Sequence, residues 1–188
     1  MADTVARSEF ILGGQRSGKS RRAEMLAVQW LALSPSHRAV LVATGQAWDD
    51  EMRERIARHQ SDRAERVPGM LTVEEPIALE HALHEHSAPH TLVVVDCLTL
   101  WLTNLLMPAV GAPTSASEPT QALCHAIRRA PGPVVLVGNE IGLGVIPMGR
   151  EVRAFVDALG ALNQAVAGSC ERVTLMAAGL PLTLKEPQ

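Results

Sequence analysis

The segment that most constrains the fold of this chain is a glycine-rich stretch near its start. Residues 13–20 read Gly-Gly-Gln-Arg-Ser-Gly-Lys-Ser and satisfy the phosphate-loop pattern G-x-x-x-x-G-K-[ST] at every position. The apolar run Phe-Ile-Leu precedes the stretch and residues 21–27 form a good helix start, so it lies between a strand and a helix. Glycines allow backbone N–H groups to converge on a phosphate at a helix N-terminus. The pattern therefore predicts a nucleoside triphosphate site.

Every residue of this phosphate loop is a candidate nucleotide contact: Gly13, Gly14, Gln15, Arg16, Ser17, Gly18, Lys19 and Ser20. Lys19 is expected to reach the β- and γ-phosphates, and the Ser20 hydroxyl is expected to bind Mg²⁺. Asp96 follows the apolar run at 93–95, where a Walker B carboxylate normally serves the same metal. A helix N-cap is the alternative role for Asp96.

Strand-length apolar runs alternate with helix-length amphipathic segments along the chain. The predicted strands are Phe10–Leu12, Ala39–Thr44, Thr91–Cys97, Val134–Gly138 and Val173–Ala177, and the predicted helices are 18–33, 48–61, 76–86, 98–107, 119–129 and 148–166. This alternation predicts an α/β fold of the P-loop NTPase (RecA-like) kind, a mostly parallel sheet with helices on both faces. Because the strands are continuously apolar, they are expected to lie in the interior of the sheet.

Length and charge limit the domain organisation and the kind of partner. With 188 residues, 47% of them hydrophobic, the chain is expected to form a short tail at 1–8 and one nucleotide-binding catalytic domain at 9–188. A net charge of −3, with three Trp, two Phe and no Tyr, argues against nucleic acid as a partner. No apolar run approaches the roughly 20 residues that span a bilayer. Three widely spaced cysteines fit a reducing cytoplasm.

A histidine on the second predicted helix has two possible roles. Trp48, Met52, Ile56 and His59 share one helical face, which is typical of a packed amphipathic helix whose last histidine is favoured by the helix dipole. A neutral imidazole can also attack the α-phosphate of a nucleotide and pass the nucleotidyl group to an acceptor. The spacing is compatible with both roles.

A polar pair follows the fourth predicted strand. Asn139 and Glu140 come directly after the apolar run at 134–138 and precede two glycines and a proline. Open α/β sheets bind ligands at the carboxyl ends of their strands. The pair is therefore a candidate for substrate contacts or for a proton-accepting carboxylate.

The ordered set of motifs resembles the bifunctional adenosylcobinamide kinase / adenosylcobinamide-phosphate guanylyltransferases of cobalamin biosynthesis, from Phe10 to Lys185. The matching segments are the phosphate loop, Val-Ala-Thr-Gly-Gln at 42–46, Asp-Asp-Glu-Met with Arg-Ile-x-x-His up to residue 59, Thr-Val-Glu-Glu-Pro at 72–76, Asp-Cys-Leu-Thr-Leu-Trp-Leu-Thr-Asn-Leu-Leu at 96–106, Asn-Glu-Ile-Gly-x-Gly-x-Ile-Pro at 139–147 and Arg-x-Phe-x-Asp-x-x-Gly-x-x-Asn-Gln at 153–164. The chain lacks the Arg-Pro pair and the Trp that the family usually has between His59 and Thr72.

The resemblance implies that His59 carries the guanylyl group and that Lys19 is catalytic. Besides the phosphate loop, it implies GTP contacts at Ala43, Thr44, Gly45, Gln60, Ser61, Asp62, Arg63, Glu74 and Asp96. It also implies Mg²⁺ as cofactor, GTP and ATP as substrates, adenosylcobinamide and its phosphate as acceptors, and a cytoplasmic homotrimer.

Two other functions fit the phosphate loop. The first is a small-molecule kinase without a covalent nucleotidyl intermediate, in which a series of arginines serves as an anion-binding lid: Arg53, Arg55, Arg58, Arg63 and Arg66. The second is a nucleotide-sensing module without turnover.

Overall fold

The computed structural model describes residues 5–47, 50–108 and 111–187. The strands are β1 (Ser8–Gly13), β2 (Arg38–Ala43), β3 (Leu71–Glu74), β4 (Thr91–Asp96), β5 (Val134–Val137), β6 (Arg172–Ala177) and β7 (Leu180–Lys185). The helices are α1 (Lys19–Leu33), α2 (Asp50–Arg66), α3 (Leu79–His86), α4 (Leu98–Leu106), α5 (Ser117–Arg129) and α6 (Arg150–Ser169).

The strands form one sheet in the order β3-β2-β4-β5-β1-β6-β7. All neighbouring pairs are parallel except β6 and β7, which are antiparallel. This arrangement confirms the predicted α/β class with a mostly parallel sheet. The five predicted strands are the five interior ones, while β3 and β7, which were not predicted, are the two edges.

Helices cover both faces of the sheet, as the continuous apolar strands require. Phe10 and Leu12 of β1 join a core with α3, α4, α5 and α6, whereas Ile11 between them joins a second core with α1. Adjacent residues of one strand thus face opposite layers. Within the described residues, no helix has the length and apolarity needed to cross a bilayer.

Helix α2 is longer than predicted and ends at Arg66 instead of residue 61. The apolar pattern stops earlier, but Arg66 donates hydrogen bonds to Glu24 of α1 at 3.0 Å and to Asp62 at 3.3 Å. The hydrogen bond from Arg66 to Glu24 is the main reason that the guanidinium pKa is raised. These contacts anchor the last turn of α2 to α1, so part of the segment in which this chain departs from the resembled family is helical.

An ion-pair network ties the helix after the phosphate loop to the sheet. Glu9 of β1 is fully buried and accepts hydrogen bonds at 2.8 Å from both Arg22 of α1 and Thr174 of β6. Arg172 lies 3.6 Å from the other Glu9 oxygen. The network therefore fixes the start of α1, and with it the phosphate loop, to two neighbouring strands.

Replacing Glu9 with alanine is expected to lower the free energy of unfolding by about 3–5 kcal/mol, because the change removes the buried carboxylate that Arg22 and Arg172 both face. Urea unfolding monitored by circular dichroism measures the loss. Asp50→Ala is the control, since Asp50 pairs with Arg53 at an exposed position and such pairs contribute little. Equal, small effects of the two substitutions would contradict this account of the network.

Candidate active site

The phosphate loop has the tight backbone that its glycines predict. Gly18 has a φ of +100°, a conformation that residues with a side chain rarely adopt. A Cβ atom at Gly13 would lie 2.5 Å from both the Met176 carbonyl oxygen and the Ser17 Oγ. Larger residues at these two positions would therefore displace the loop.

Two neighbouring segments hold the loop in place. The Glu140 N–H, after β5, donates to the Gly13 carbonyl at 3.1 Å, and the Gly179 N–H, in the turn between β6 and β7, donates to the Ser17 carbonyl at 3.0 Å. The unpredicted edge strand β7 thus contributes a turn that supports the predicted loop.

The polar side chains of the loop fit a triphosphate. Lys19 is buried, and its Nζ donates to the Gly14 carbonyl at 2.6 Å. The Ser17 hydroxyl is buried and, among the described atoms, has no hydrogen-bond partner. Gln15 and Arg16 are exposed. A buried hydroxyl without an acceptor, beside a lysine, matches an anionic oxygen as the missing partner.

Asp96 ends β4, with β5 between it and the strand of the phosphate loop. Burial and the Asp96 charge raise the pKa of the adjacent Cys97 thiol to about 11, and the Lys19 charge lowers it. The order of the parallel strands places Asp96 at the same edge of the sheet as the phosphate loop, with only β5 between β4 and β1.

The residues present fit Mg²⁺. Ser20 and Asp96 offer a hydroxyl and a carboxylate, the hard oxygen donors that this ion prefers. Among the residues that the structure describes, no group of three or more His, Cys, Asp or Glu side chains could hold a metal ion. One hydroxyl and one carboxylate suit an ion that is bound by one or two protein oxygens together with substrate phosphates.

Three of the predicted contacts lie side by side at the carboxyl edge of the sheet. Ala43 of β2 is in register with Glu74 of β3 on one side and with Asp96 of β4 on the other. Glu74 is thus brought to the edge by β3, the strand that sequence patterning missed.

A cavity of about 440 Å³ lies between this edge and α2. Its lining residues are Gly45, Gln46, Ala47, Arg53, Ile56, Ala57, Gln60, Glu74 and Pro76. Three predicted GTP contacts therefore line one cavity: Gly45, Gln60 and Glu74. The Glu74 carboxylate can accept hydrogen bonds from a base or a sugar.

The candidate nucleophile belongs to the same helix. His59 lies on α2 between Ile56 and Gln60, which both line the cavity. The His59 side chain lies outside the described part of the structure, as do Trp48 and the side chain of Arg55.

The residues after His59 are distributed around α2. Successive helical residues turn by about 100°, so four in a row cannot face one ligand. Gln60 lines the cavity, Ser61 is exposed, and Asp62 pairs with Arg66. Arg63 is buried, and its Nε has no hydrogen-bond partner among the described atoms.

Asn104 of α4 connects the walls of the cavity, a role that sequence reasoning did not assign to it. Its buried amide donates to the carbonyls of Thr44 at 2.8 Å and Pro76 at 3.0 Å. The Thr44 hydroxyl donates to the Cys97 carbonyl and accepts from the Cys97 N–H. Thr44 therefore links the end of β2 to the end of β4. Asn104 holds together the segments that follow β2 and β3.

Replacing Asn104 with alanine is expected to raise the KM for GTP and to lower the free energy of unfolding by about 2 kcal/mol, because two buried carbonyls lose their donors. GTP-dependent turnover and urea unfolding measure the two effects. Thr103→Ala is the matched control, since the Thr103 hydroxyl donates to the Thr99 carbonyl of its own helix. An unchanged KM for GTP in Asn104→Ala would contradict this role.

A solved structure shares the fold. The crystal structure of the flagellar accessory protein FlaH from Methanocaldococcus jannaschii superposes with a TM-score of 0.54, at 12% identity, over 98% of this chain and 80% of that one.

Curated relatives match along most of their length. The bifunctional adenosylcobalamin biosynthesis protein CobP of Pseudomonas aeruginosa is 47% identical over 178 residues, covering 94% of this chain and 96% of that protein. The bifunctional adenosylcobalamin biosynthesis protein CobU of Escherichia coli is 34% identical, covering 94% and 98%. The family model described as cobinamide kinase / cobinamide phosphate guanyltransferase matches residues 9–184. The resemblance predicted from the motifs is confirmed, and the chain belongs to this family.

Proposed function

We propose that the protein phosphorylates adenosylcobinamide with a nucleoside triphosphate and then transfers GMP from GTP to the phosphorylated product. The second reaction gives adenosylcobinamide-GDP and pyrophosphate. The proposal is carried by the membership of residues 9–184 in the kinase and guanyltransferase family, together with a phosphate loop and, at the same edge of the sheet, a cavity lined by Gly45, Gln60 and Glu74.

In the first reaction, the phosphate loop holds the triphosphate. Backbone N–H groups at the start of α1 and the Lys19 ammonium stabilise the negative charge on the transferred phosphoryl group. Ser20 and Asp96 would hold Mg²⁺, which neutralises charge on the phosphates when bound. Arg16 is an exposed residue of the loop and can add a further cation to bound phosphate.

In the second reaction, His59 is the nucleophile. A neutral imidazole nitrogen attacks the α-phosphorus of GTP, and pyrophosphate leaves with the electron pair of the broken P–O bond. The acceptor phosphate then attacks the guanylyl-histidine and restores the imidazole. Support comes from the position of His59 on the helix that lines the cavity with Ile56 and Gln60.

Product analysis tests the proposal. The purified protein, incubated with adenosylcobinamide, ATP, GTP and Mg²⁺, is expected to form adenosylcobinamide phosphate first and adenosylcobinamide-GDP afterwards, as followed by liquid chromatography and mass spectrometry. Formation of neither product by folded protein, confirmed by circular dichroism, would contradict the proposal.

A small-molecule kinase without a covalent intermediate is the second candidate. It would give the phosphate and no GDP derivative. The structure argues against the arginine lid of this candidate, because two of its five arginines have other environments. Arg66 pairs with Glu24, and Arg63 is buried.

We also propose that residues 9–188 work as one catalytic domain within a cytoplasmic homotrimer. An exposed apolar loop after β5 supports contact between copies, with Leu143, Val145, Ile146 and Met148 each at least 77% exposed. Light scattering coupled to size-exclusion chromatography measures the assembly, and a monomeric mass would contradict it.

A further inference from the structure

We propose that Glu140 is the general base that takes the hydroxyl proton of the acceptor during phosphoryl transfer. The inference rests on the proposed kinase activity and assigns a residue to one step of it.

A backbone hydrogen bond holds Glu140 next to the phosphate loop. Val137, at the end of β5, is in register with Asp96 of β4 on one side and with Ile11 of β1 on the other. Three residues later, the Glu140 N–H donates to the carbonyl of Gly13, the first loop residue. Glu140 thus follows the strand that separates the loop from Asp96, where a reacting γ-phosphate would be expected.

The Glu140 carboxylate is held in position. One oxygen accepts a hydrogen bond from the Gly142 N–H at 2.7 Å, and the other lies 3.5 Å from the Asn163 amide nitrogen. Asn163 is buried and also donates to the Asn139 carbonyl at 3.1 Å. The residue is half-buried, and within the described residues it forms no ion pair that would compete for its charge.

The other carboxylates near the site have different contacts. Glu9 is buried in its ion-pair network, Glu74 lines the cavity beside α2, and Asp96 is a candidate metal ligand. Glu140 is the carboxylate whose own backbone bonds to the phosphate loop. Its position favours the proton-accepting role over the alternatives.

Phosphoryl transfer to the acceptor forms one P–O bond and breaks another. The acceptor hydroxyl oxygen forms a bond to the γ-phosphorus while the bond from that phosphorus to the β–γ bridging oxygen breaks. The nucleoside diphosphate leaves with the electron pair, and the hydroxyl proton passes to a Glu140 oxygen and then to water. Guanylyl transfer needs no such base, because its acceptor is a phosphate that is already ionised near neutral pH.

The test compares Glu140→Gln, Glu140→Asp and the control Glu151→Gln, which changes an exposed residue in the first turn of α6. Glutamine keeps an oxygen for the Gly142 N–H but cannot take a proton. We expect Glu140→Gln to lower kcat for phosphorylation by about 10²-fold or more, with little change in KM for the triphosphate. Glu140→Asp is expected to recover part of the rate, and all three variants are expected to transfer GMP to chemically supplied adenosylcobinamide phosphate at close to the wild-type rate.

Wild-type phosphorylation rates in Glu140→Gln would overturn the inference while leaving the proposed function intact. Parallel losses of phosphorylation and GMP transfer would also overturn it, because they would indicate that Glu140 only shapes the loop. If the wild-type protein itself formed no phosphate, the proposed function would fail and the inference with it.

Discussion

Replacing Lys19 with alanine is expected to lower kcat/KM for both phosphorylation and guanylyl transfer by about 10²–10³-fold. The buried ammonium lies within the phosphate loop, where it bonds to the Gly14 carbonyl, and the proposed mechanism places a triphosphate in that loop in both reactions. Initial rates with adenosylcobinamide and with its phosphate, measured separately, test the two activities.

Lys185 provides the control, since it is the other lysine in the chain. Its Nζ bonds to the Ala167 and Cys170 carbonyls, away from the loop. Lys185→Ala is therefore expected to keep both activities in protein that remains folded. Loss of only one activity in Lys19→Ala would contradict a shared triphosphate site.

Replacing His59 with alanine is expected to abolish GMP transfer and to leave phosphorylation of adenosylcobinamide near the wild-type rate. The proposed mechanism uses His59 only in the second reaction, so its removal is expected to eliminate the covalent route and to leave the phosphate loop unchanged. Production of adenosylcobinamide phosphate without further conversion to adenosylcobinamide-GDP is the measurable outcome.

His84→Ala serves as the matched control, because His84 is exposed on α3. This variant is expected to form both products. If His59→Ala formed adenosylcobinamide-GDP at the wild-type rate, His59 would not be the nucleophile.

Sequence patterning predicts the interior of this fold well and its edges poorly. The run Leu92-Val93-Val94-Val95 is buried on both faces, so it is continuously apolar and easy to recognise. At the edges, β3 is largely exposed, and β7 carries Pro181 together with exposed Leu180, Leu182 and Leu184. Edge strands need not be covered on both sides, so their sequences lack that signal.

In the candidate site, sequence alone predicts the features that depend on neighbouring residues, and it does not predict the contacts between residues far apart in the chain. The phosphate loop is a continuous segment whose glycines have local conformational causes, so sequence alone predicts it. Asn104 acts on the carbonyls of Thr44 and Pro76, which are 60 and 28 residues away. Similarly, the support that Gly179 gives to Ser17 depends on how β7 folds back along β6. No local pattern marks such contacts.

Covalent labelling with GTP tests the central claim, that one chain combines a phosphate loop with a histidine nucleophile. The protein is incubated with GTP labelled at the α-phosphate and Mg²⁺ but without acceptor, then denatured and digested. We expect acid-labile, base-stable label on the peptide that contains His59, and none on that peptide in His59→Ala. Equal label on wild-type protein and His59→Ala, or no label on an active wild-type protein, would contradict the account.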